Sequence, residues 1–495
     1  MFDKKFVLST LPDAKIPFDT FPRECLFCID TRSLHAGDIF VALAGTQSDG
    51  HEFVKQAFDK GAAGVIIDRA HQRVLDGMPT AMLQKKLIII VEDTYKALFA
   101  LATAWRAQFS CPVIGITGSI GKTSTKELLS NIVSLTGKPY IATQGNYSSL
   151  LGLALSLLRM RPEHTVGIFE VGISKRGEMA QAVQMLKPTS AAITFIGHSH
   201  SEGLGSLADI CFEKRQIFKL FKSESVGVIN GDQPVIAHVG YQHPVIKFGS
   251  KSTNQIQARK IRVASDRTDF VLKIYKNKFN VSLNNPHDGA VYHALAAAAL
   301  AMLLHIDCQT IVQGISMPIA VGGRFQQLPL AAGNGTVIHD AYNASPESVK
   351  AALLAVENIK TDAYKVAILG DMLELGVDSM FWHRQVGRFL RKTPSIQEVV
   401  LVGAQIKAAQ QLMPPTIKCS MVDTIDQAIA LIKSKKQELL VLVKGSRGMA
   451  LERVVDSLAQ PKLAASKKDA ASFAAAKRLA DNDLKANGDT KRVHA

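Results

Sequence analysis

The run Gly115-Ile-Thr-Gly-Ser-Ile-Gly-Lys-Thr123 joins three glycines to a lysine and a threonine. Those residue types at that spacing suit phosphate. Successive backbone N–H groups of such a loop can face inward, and the start of a following helix adds its positive dipole. Lys122 would then reach the β- and γ-phosphates, and the Thr123 hydroxyl would bind Mg²⁺. The spacing GxxxxGK[ST] is missed by one position, because Ile116 stands where that pattern has its first glycine. The loop therefore points to a nucleoside triphosphate without naming the reaction.

Three further side chains follow at a distance. Glu170 closes the apolar run VGIFEVG, and His200 follows AAITFIG in GHSHSEGLGS. Lys214 sits in FEKRQIF, a helical stretch whose neighbours Glu213 and Arg215 read as an ordinary charged face. The carboxyl ends of parallel strands are where such folds place ligands, which suits Glu170. Taken singly, each residue reads as a surface group.

The elements that must position these residues follow from hydrophobic periodicity. From Val113 onward, the apolar runs VIGIT, VGIFEVG, AAITFIG and VGVIN alternate with amphipathic segments of helix length. That is the pattern of a mostly parallel sheet wrapped by helices. Residues 1–107 carry short β-like runs, DIFVA from Asp38 and GVII from Gly64, and predict a small α/β domain. A central ATP-binding domain is expected over 108–321. A third, Rossmann-like α/β domain is expected over 322–460, with TVIHDAYN, VAILGDM, EVVLVG and LLVLVKGS as buried strands. Residues 461–495 are rich in Ala, Lys and Asp and read as a disordered tail or solvated helix without a catalytic role.

Composition bounds the function classes. The chain has 495 residues, 47% hydrophobic and 20% charged, enough for about three domains with large cores. Its net charge of +15 would favour nucleic acid, a membrane surface or a phosphorylated small molecule. No apolar run reaches the roughly 20 residues that span a bilayer. Acidic residues and a proline occupy the N-terminal stretch where a signal peptide would be apolar, so a cytoplasmic protein is expected. Six scattered cysteines fit a reducing compartment, and Cys25 and Cys28 read as ordinary thiols.

The loop form GxTGxxGKT, with Gly118 three before Gly121, resembles that of the Mur ligases and folylpolyglutamate synthetases. Asp30-Thr-Arg32, Gly37-Asp-Ile-Phe40 and Asp49-Gly-His51 resemble the UDP-binding N-terminal domain of the later Mur ligases, which folylpolyglutamate synthetases lack. In the third block, Gly323-Arg324, Asp340-Ala-Tyr-Asn-Ala-Ser-Pro346, Gly370-Asp-Met-Leu-Glu-Leu-Gly376, His383 and Val443-Lys-Gly-Ser-Arg447 resemble the C-terminal domain of the family member that adds D-alanyl-D-alanine. The resemblance spans residues 23–458.

It implies an ADP-forming amide ligase of peptidoglycan precursor synthesis, acting on UDP-N-acetylmuramoyl-tripeptide and D-alanyl-D-alanine with ATP and Mg²⁺. It implies an ATP site of Thr117, Gly118, Ser119, Ile120, Gly121, Lys122, Thr123, Asn146, Arg324, Asp340 and Asn343. The metal shell would be Thr123, Glu170, His200 and a carbamylated Lys214. Lys122, Glu170, His200, Lys214 and Arg324 would carry catalysis, while Thr31, Arg32, Lys444, Ser446 and Arg447 would contact substrate. Closure of the third domain is expected to assemble the site.

Two segments depart from the family pattern. In GNYSSLLG, Ser148 and Ser149 replace two amides, so only Asn146 carries over; near the adenine segment, His293 replaces an asparagine. The rival readings are the sister ligase that adds diaminopimelate or lysine, a folylpolyglutamate synthetase, against which the N-terminal domain argues, and a P-loop nucleic-acid or signalling NTPase. No helicase motif set or aromatic-basic interleaving supports the latter. A monomer that binds no nucleic acid is expected.

Overall fold

The computed structural model describes residues 2–45, 48–145, 147–319, 321–331, 333 and 335–460. Asn146 and the tail at 461–495 lie outside the described residues. The chain divides into two compact units. The first comprises Met1–Val321 with Ser345–Lys360 and Leu373–Trp382, and the second comprises Gly322–Ala344, Thr361–Met372 and the chain from His383.

The first unit holds two sheets. Phe27–Cys28, Ile39–Val41, Gly64–Asp68 and Leu87–Val91 pair in chain order, all parallel. Both faces are covered, which is why their sequences are short unbroken apolar runs. Phe40, Val65, Ile67, Ile88 and Ile90 pack on one side with Val54 and Phe58, while Ile39, Val41, Ile66 and Ile89 pack on the other with Leu98 and Leu101. The free thiols Cys25 and Cys28 belong to this region, and burial pushes the Cys25 thiol up to about 11.

The larger sheet has nine strands. Its order is Asn277–Leu283, Thr268–Ile274, Ile256–Val263, Val245–Gly249, Val226–Asn230, Ser190–Ile193, Val113–Thr117, Val166–Glu170 and Tyr140–Ala142. Pairing is parallel except where Thr268–Ile274 meets its two neighbours, so the mostly parallel expectation holds and an antiparallel edge is added. Val113–Thr117 lies between strands reached by opposite turns of the chain, the switch point where such sheets open a crevice for ligands. The helix Lys122–Ser134 starts from that strand's loop and packs on the Ala-rich helix Gly289–Leu303. Ala294 and Ala296 to Ala299 are fully buried there, which explains the longest apolar run in the sequence as core. Among the described residues, no helix is long and apolar enough to cross a membrane.

The second unit is a six-stranded sheet in the order Gln326–Pro329, Gly335–His339, Leu439–Lys444, Tyr364–Gly370, Glu398–Val402, Lys418–Val422. Only the first pair is antiparallel. Val337, Val366, Ile368, Val400, Val441 and Val443 form its core with Val454, Val455 and Leu458. Glu398 is fully buried there, with its carboxylate 2.6 Å from Lys435 Nζ and accepting from the Tyr364 hydroxyl at 3.2 Å.

Candidate active site

Two glycines set the shape of the loop after Val113–Thr117. Gly118 has φ +148°, and a Cβ there would sit 2.1 Å from Thr194 Oγ1. Gly121, with φ +88°, precedes the helix, and a Cβ would lie 2.4 Å from the His293 ring. Any other residue would meet both a strained backbone and a filled space. The loop is tied down from below. Thr194 Oγ1 donates to the Thr117 carbonyl at 3.2 Å and the Ile120 carbonyl at 2.5 Å. Ser119 gives its N–H to the Phe195 carbonyl at 2.7 Å and its hydroxyl to the Gly197 carbonyl at 2.8 Å. Ser119 thus anchors the loop, where the sequence suggested an inward-facing amide.

The charged groups converge at the helix start. Lys122 Nζ donates to the Gly118 carbonyl at 2.8 Å, so its ammonium lies across the loop's own opening. Thr123 Oγ1 donates to Glu170 Oε2 at 2.8 Å, with both residues buried. Glu170 is held by its own N–H, which donates to Thr143 Oγ1 at 3.0 Å. Lys126, also buried, donates to the Thr143 carbonyl at 2.8 Å and pairs with Glu127. A hydrogen bond to an ionised carboxylate contributes about 1.5–3 kcal/mol, so the Thr123 and Glu170 oxygens hold each other in place.

Lys214 departs most from its local reading. The helix Leu207–Arg215 turns it into the interior, where it is 1% exposed. Burial, reinforced by the Lys122 charge and only partly opposed by Glu213, drives its amine well below the ordinary lysine range. Its neighbours do not form a charged surface. Glu213 is buried and accepts the Gly177 N–H at 2.7 Å, and the Arg215 guanidinium lies 5.2 Å from the Tyr241 ring centre.

His200 adopts φ +58° and caps the short helix Ser201–Leu204. Its Nδ1 pairs with Glu374, whose carboxyl is held below the usual range chiefly by that bond. Two residues earlier, Glu347 accepts from the His198 main chain at 3.0 Å and lies 2.6 Å from its Nδ1. Burial raises the Glu347 carboxyl, yet the His198 bonds outweigh it and leave the net shift downward. The Trp382 ring lies against His198, tilted by 47° with the ring centres 4.4 Å apart. Neither glutamate was singled out in the sequence, because nothing local marks a partner about 150 residues away.

The second unit gathers its own cluster at the ends of its parallel strands. Lys444, 2% exposed, donates to Asp340 Oδ2 at 2.7 Å and to the Asn343 carbonyl at 3.1 Å. Asp340 Oδ1 accepts the Phe325 N–H at 3.1 Å, and the Arg324 guanidinium stacks 4.3 Å over the Tyr342 ring. Asn343 Oδ1 accepts the Ala344 N–H at 2.9 Å. Ser446 takes its N–H to the Asp371 carbonyl at 3.1 Å, and Arg447 pairs with Glu452 at 3.1 Å. His383 is fully buried and accepts the Met372 N–H at 2.9 Å, a structural placement.

In the N-terminal sheet, Thr31 is buried and its hydroxyl donates to Gln56 Oε1 at 2.7 Å, while Arg32 is exposed and forks onto Asp30 at 2.6 Å. His51 packs its ring 4.2 Å from that of His71. His51 Nδ1 meets Asp49 Oδ1 at 2.6 Å, and His71 lies between Asp68 Oδ1 at 2.7 Å and Asp49 Oδ2 at 3.2 Å.

Three family models match the chain in succession. They are the Mur ligase catalytic-domain model over residues 27–106, the Mur ligase middle domain over 116–301 and the Mur ligase glutamate ligase domain over 323–447. The UDP-N-acetylmuramoyl-tripeptide–D-alanyl-D-alanine ligase of Bacillus subtilis is 32% identical over 88% of this chain and 93% of its own. The structure of MurF from Acinetobacter baumannii has TM-score 0.78 and 27% identity, covering 92% of this chain and 98% of that one. The structure of MurF ligase from Thermotoga maritima in complex with ADP has TM-score 0.73 and 25% identity, covering 87% and 96%. With the loop, the buried Thr123–Glu170 pair and the buried Lys214 in place, and with relatives alike over nearly their whole length, the chain belongs to the Mur ligase family.

Proposed function

We propose that this protein is an ATP-dependent, ADP-forming ligase that joins D-alanyl-D-alanine to the terminal carboxylate of UDP-N-acetylmuramoyl-tripeptide, in the cytoplasm. The observation that carries the chemistry is the convergence of Lys122, the Thr123–Glu170 pair and the buried amine of Lys214 at one loop. The similarity to a UDP-N-acetylmuramoyl-tripeptide–D-alanyl-D-alanine ligase along 88% of the chain supports the acceptor.

A carboxylate cannot expel oxide, so activation comes first. A tripeptide carboxylate oxygen attacks the γ-phosphorus of ATP, the bond to ADP breaks, and an acyl phosphate forms. The dipeptide amine then attacks the acyl carbon, inorganic phosphate leaves, and the amine gives up a proton. The first step brings two anions together, so the protein's main task is to neutralise charge. Lys122 would move from the Gly118 carbonyl to the β- and γ-phosphates. Within the second unit, Lys444 is held on Asp340 and the Arg324 guanidinium rests on the Tyr342 ring.

The donor set fits Mg²⁺. Thr123 and Glu170 offer hard oxygens already 2.8 Å apart, His200 offers a ring nitrogen, and Lys214 can become an oxygen ligand. A lysine amine whose pKa burial lowers sheds its proton more readily and can then add to CO₂, forming an N–C bond and releasing a proton to give a carbamate. Bound there, Mg²⁺ would supply positive charge between the reacting anions.

The test is ADP release by the purified full chain. Release should require the UDP-muramoyl tripeptide and D-alanyl-D-alanine together. ATP hydrolysis stimulated instead by single-stranded nucleic acid would contradict the proposal.

A further inference from the structure

The geometry points to Glu374 as a positioning residue that fixes the ring tautomer and orientation of His200, an inference that rests on His200 being a ligand of the site's metal. Two non-glycine residues in the left-handed region face each other here, His200 at φ +58° and Glu374 at φ +62°. Such a conformation is unfavourable for a side-chain-bearing residue and persists only where the surroundings over-determine it. They constrain each other at two points. The Glu374 carboxylate pairs with His200 Nδ1, and the Glu374 carbonyl accepts the Glu202 N–H at 3.0 Å. Gly376 closes against the same turn, where a Cβ would stand 3.2 Å from Glu202 Cα. From the other end, Glu347 grips the His198 ring and main chain.

The chemistry of imidazole turns this grip into a function. A neutral ring carries one N–H and one lone pair, and the partner of the N–H decides which nitrogen keeps the lone pair. A carboxylate set against Nδ1 favours the proton on that nitrogen, which leaves the lone pair on Nε2, the arrangement that carboxylate–histidine–metal triads use. Glu374 lies in the Gly370–Gly376 segment, which the sequence tied to the family without giving this residue a role. Its main-chain bond to Glu202 does not depend on the side chain. Substitution therefore removes the carboxylate and leaves the turn tethered.

The experiment uses the full chain with ADP and Mn²⁺, reading free Mn²⁺ by electron paramagnetic resonance, alongside ¹⁵N spectra of histidine-labelled protein. Glu374→Leu should weaken Mn²⁺ binding about 10–100-fold, the usual cost of losing such a partner. It should also convert the His200 signal from the Nδ1–H form to a tautomer mixture. Glu374→Gln, which can still accept from Nδ1–H, should keep both the affinity and the tautomer. In a His200→Ala background, Glu374→Leu should have no further effect. Wild-type Mn²⁺ affinity in Glu374→Leu, beside a loss in His200→Ala, would overturn the positioning role while leaving the metal site intact. Wild-type affinity in His200→Ala would instead remove His200 from the metal shell, and this inference with it.

Discussion

Thr123 Oγ1 and Glu170 Oε2 are 2.8 Å apart, one at the start of the helix after the loop and the other at the end of the neighbouring strand. The strands Val113–Thr117 and Val166–Glu170 are parallel partners, so their shared register sets this distance. Thr123→Val should lower kcat at least 100-fold, a barrier change of about 2.7 kcal/mol, whereas Thr123→Ser should remain within tenfold of wild type. ADP release under saturating substrates checks this, and a valine variant as active as the serine variant would contradict it.

Gly121 and His293 make a paired prediction. Gly121→Ala should raise the KM for ATP more than tenfold, because the methyl group meets the His293 ring and the backbone stays at φ +88°. Adding His293→Ala relieves only the contact. The left-handed strain of about 1–2 kcal/mol remains, so recovery should be partial. Full recovery in the double variant would show that the backbone carries no strain.

His71 gives the N-terminal region a pH dependence. Its hydrogen bond to Asp68, aided by the Asp68 and Asp49 charges, raises its pKa above the ordinary value of about 6.5. A raised pKa in the folded state means stability that is fully present below the unfolded value and lost as pH rises through the folded one. The Tm difference between wild type and His71→Ala should therefore shrink from pH 6 toward pH 8, by an amount that salt reduces because the ring is half-exposed. A difference that grows with pH would reverse the assignment.

Lys435→Ala should destabilise the second unit by about 3 kcal/mol, since it leaves the Glu398 carboxylate buried with a weakened set of partners. Lys418, at 3.8 Å and largely exposed, is too far away to replace it. Urea unfolding of the two proteins gives the difference, and a loss below about 0.5 kcal/mol would mean that Lys418 swings in.

How much of this was legible depended on sequence distance. The loop, its flanking strand and its helix are contiguous, so Gly118, Gly121, Lys122 and Thr123 carried their geometry in their spacing. The central sheet showed itself through unbroken apolar runs, because its strands are covered on both faces. Lys418–Val422 left no such trace, since it lies at an edge with no fully buried residue. The local pattern around Lys214 points to a solvated face for a physical reason. Glu213 and Arg215 look like a solvated face until Gly177 and Tyr241, brought in by the fold, occupy them. The pairs His198–Glu347 and His200–Glu374 join residues too far apart in sequence for any local pattern to reveal.

This chain activates a carboxylate with ATP and passes it to a dipeptide amine. The most direct measurement is the mass of the product formed from UDP-N-acetylmuramoyl-tripeptide, ATP and D-alanyl-D-alanine, with ADP and phosphate counted in the same reaction. One UDP-muramoyl pentapeptide should form for each ADP and each phosphate released, with no comparable product when a single amino acid replaces the dipeptide. Efficient addition of free diaminopimelate or lysine to a UDP-muramoyl dipeptide, with D-alanyl-D-alanine left unused, would contradict it.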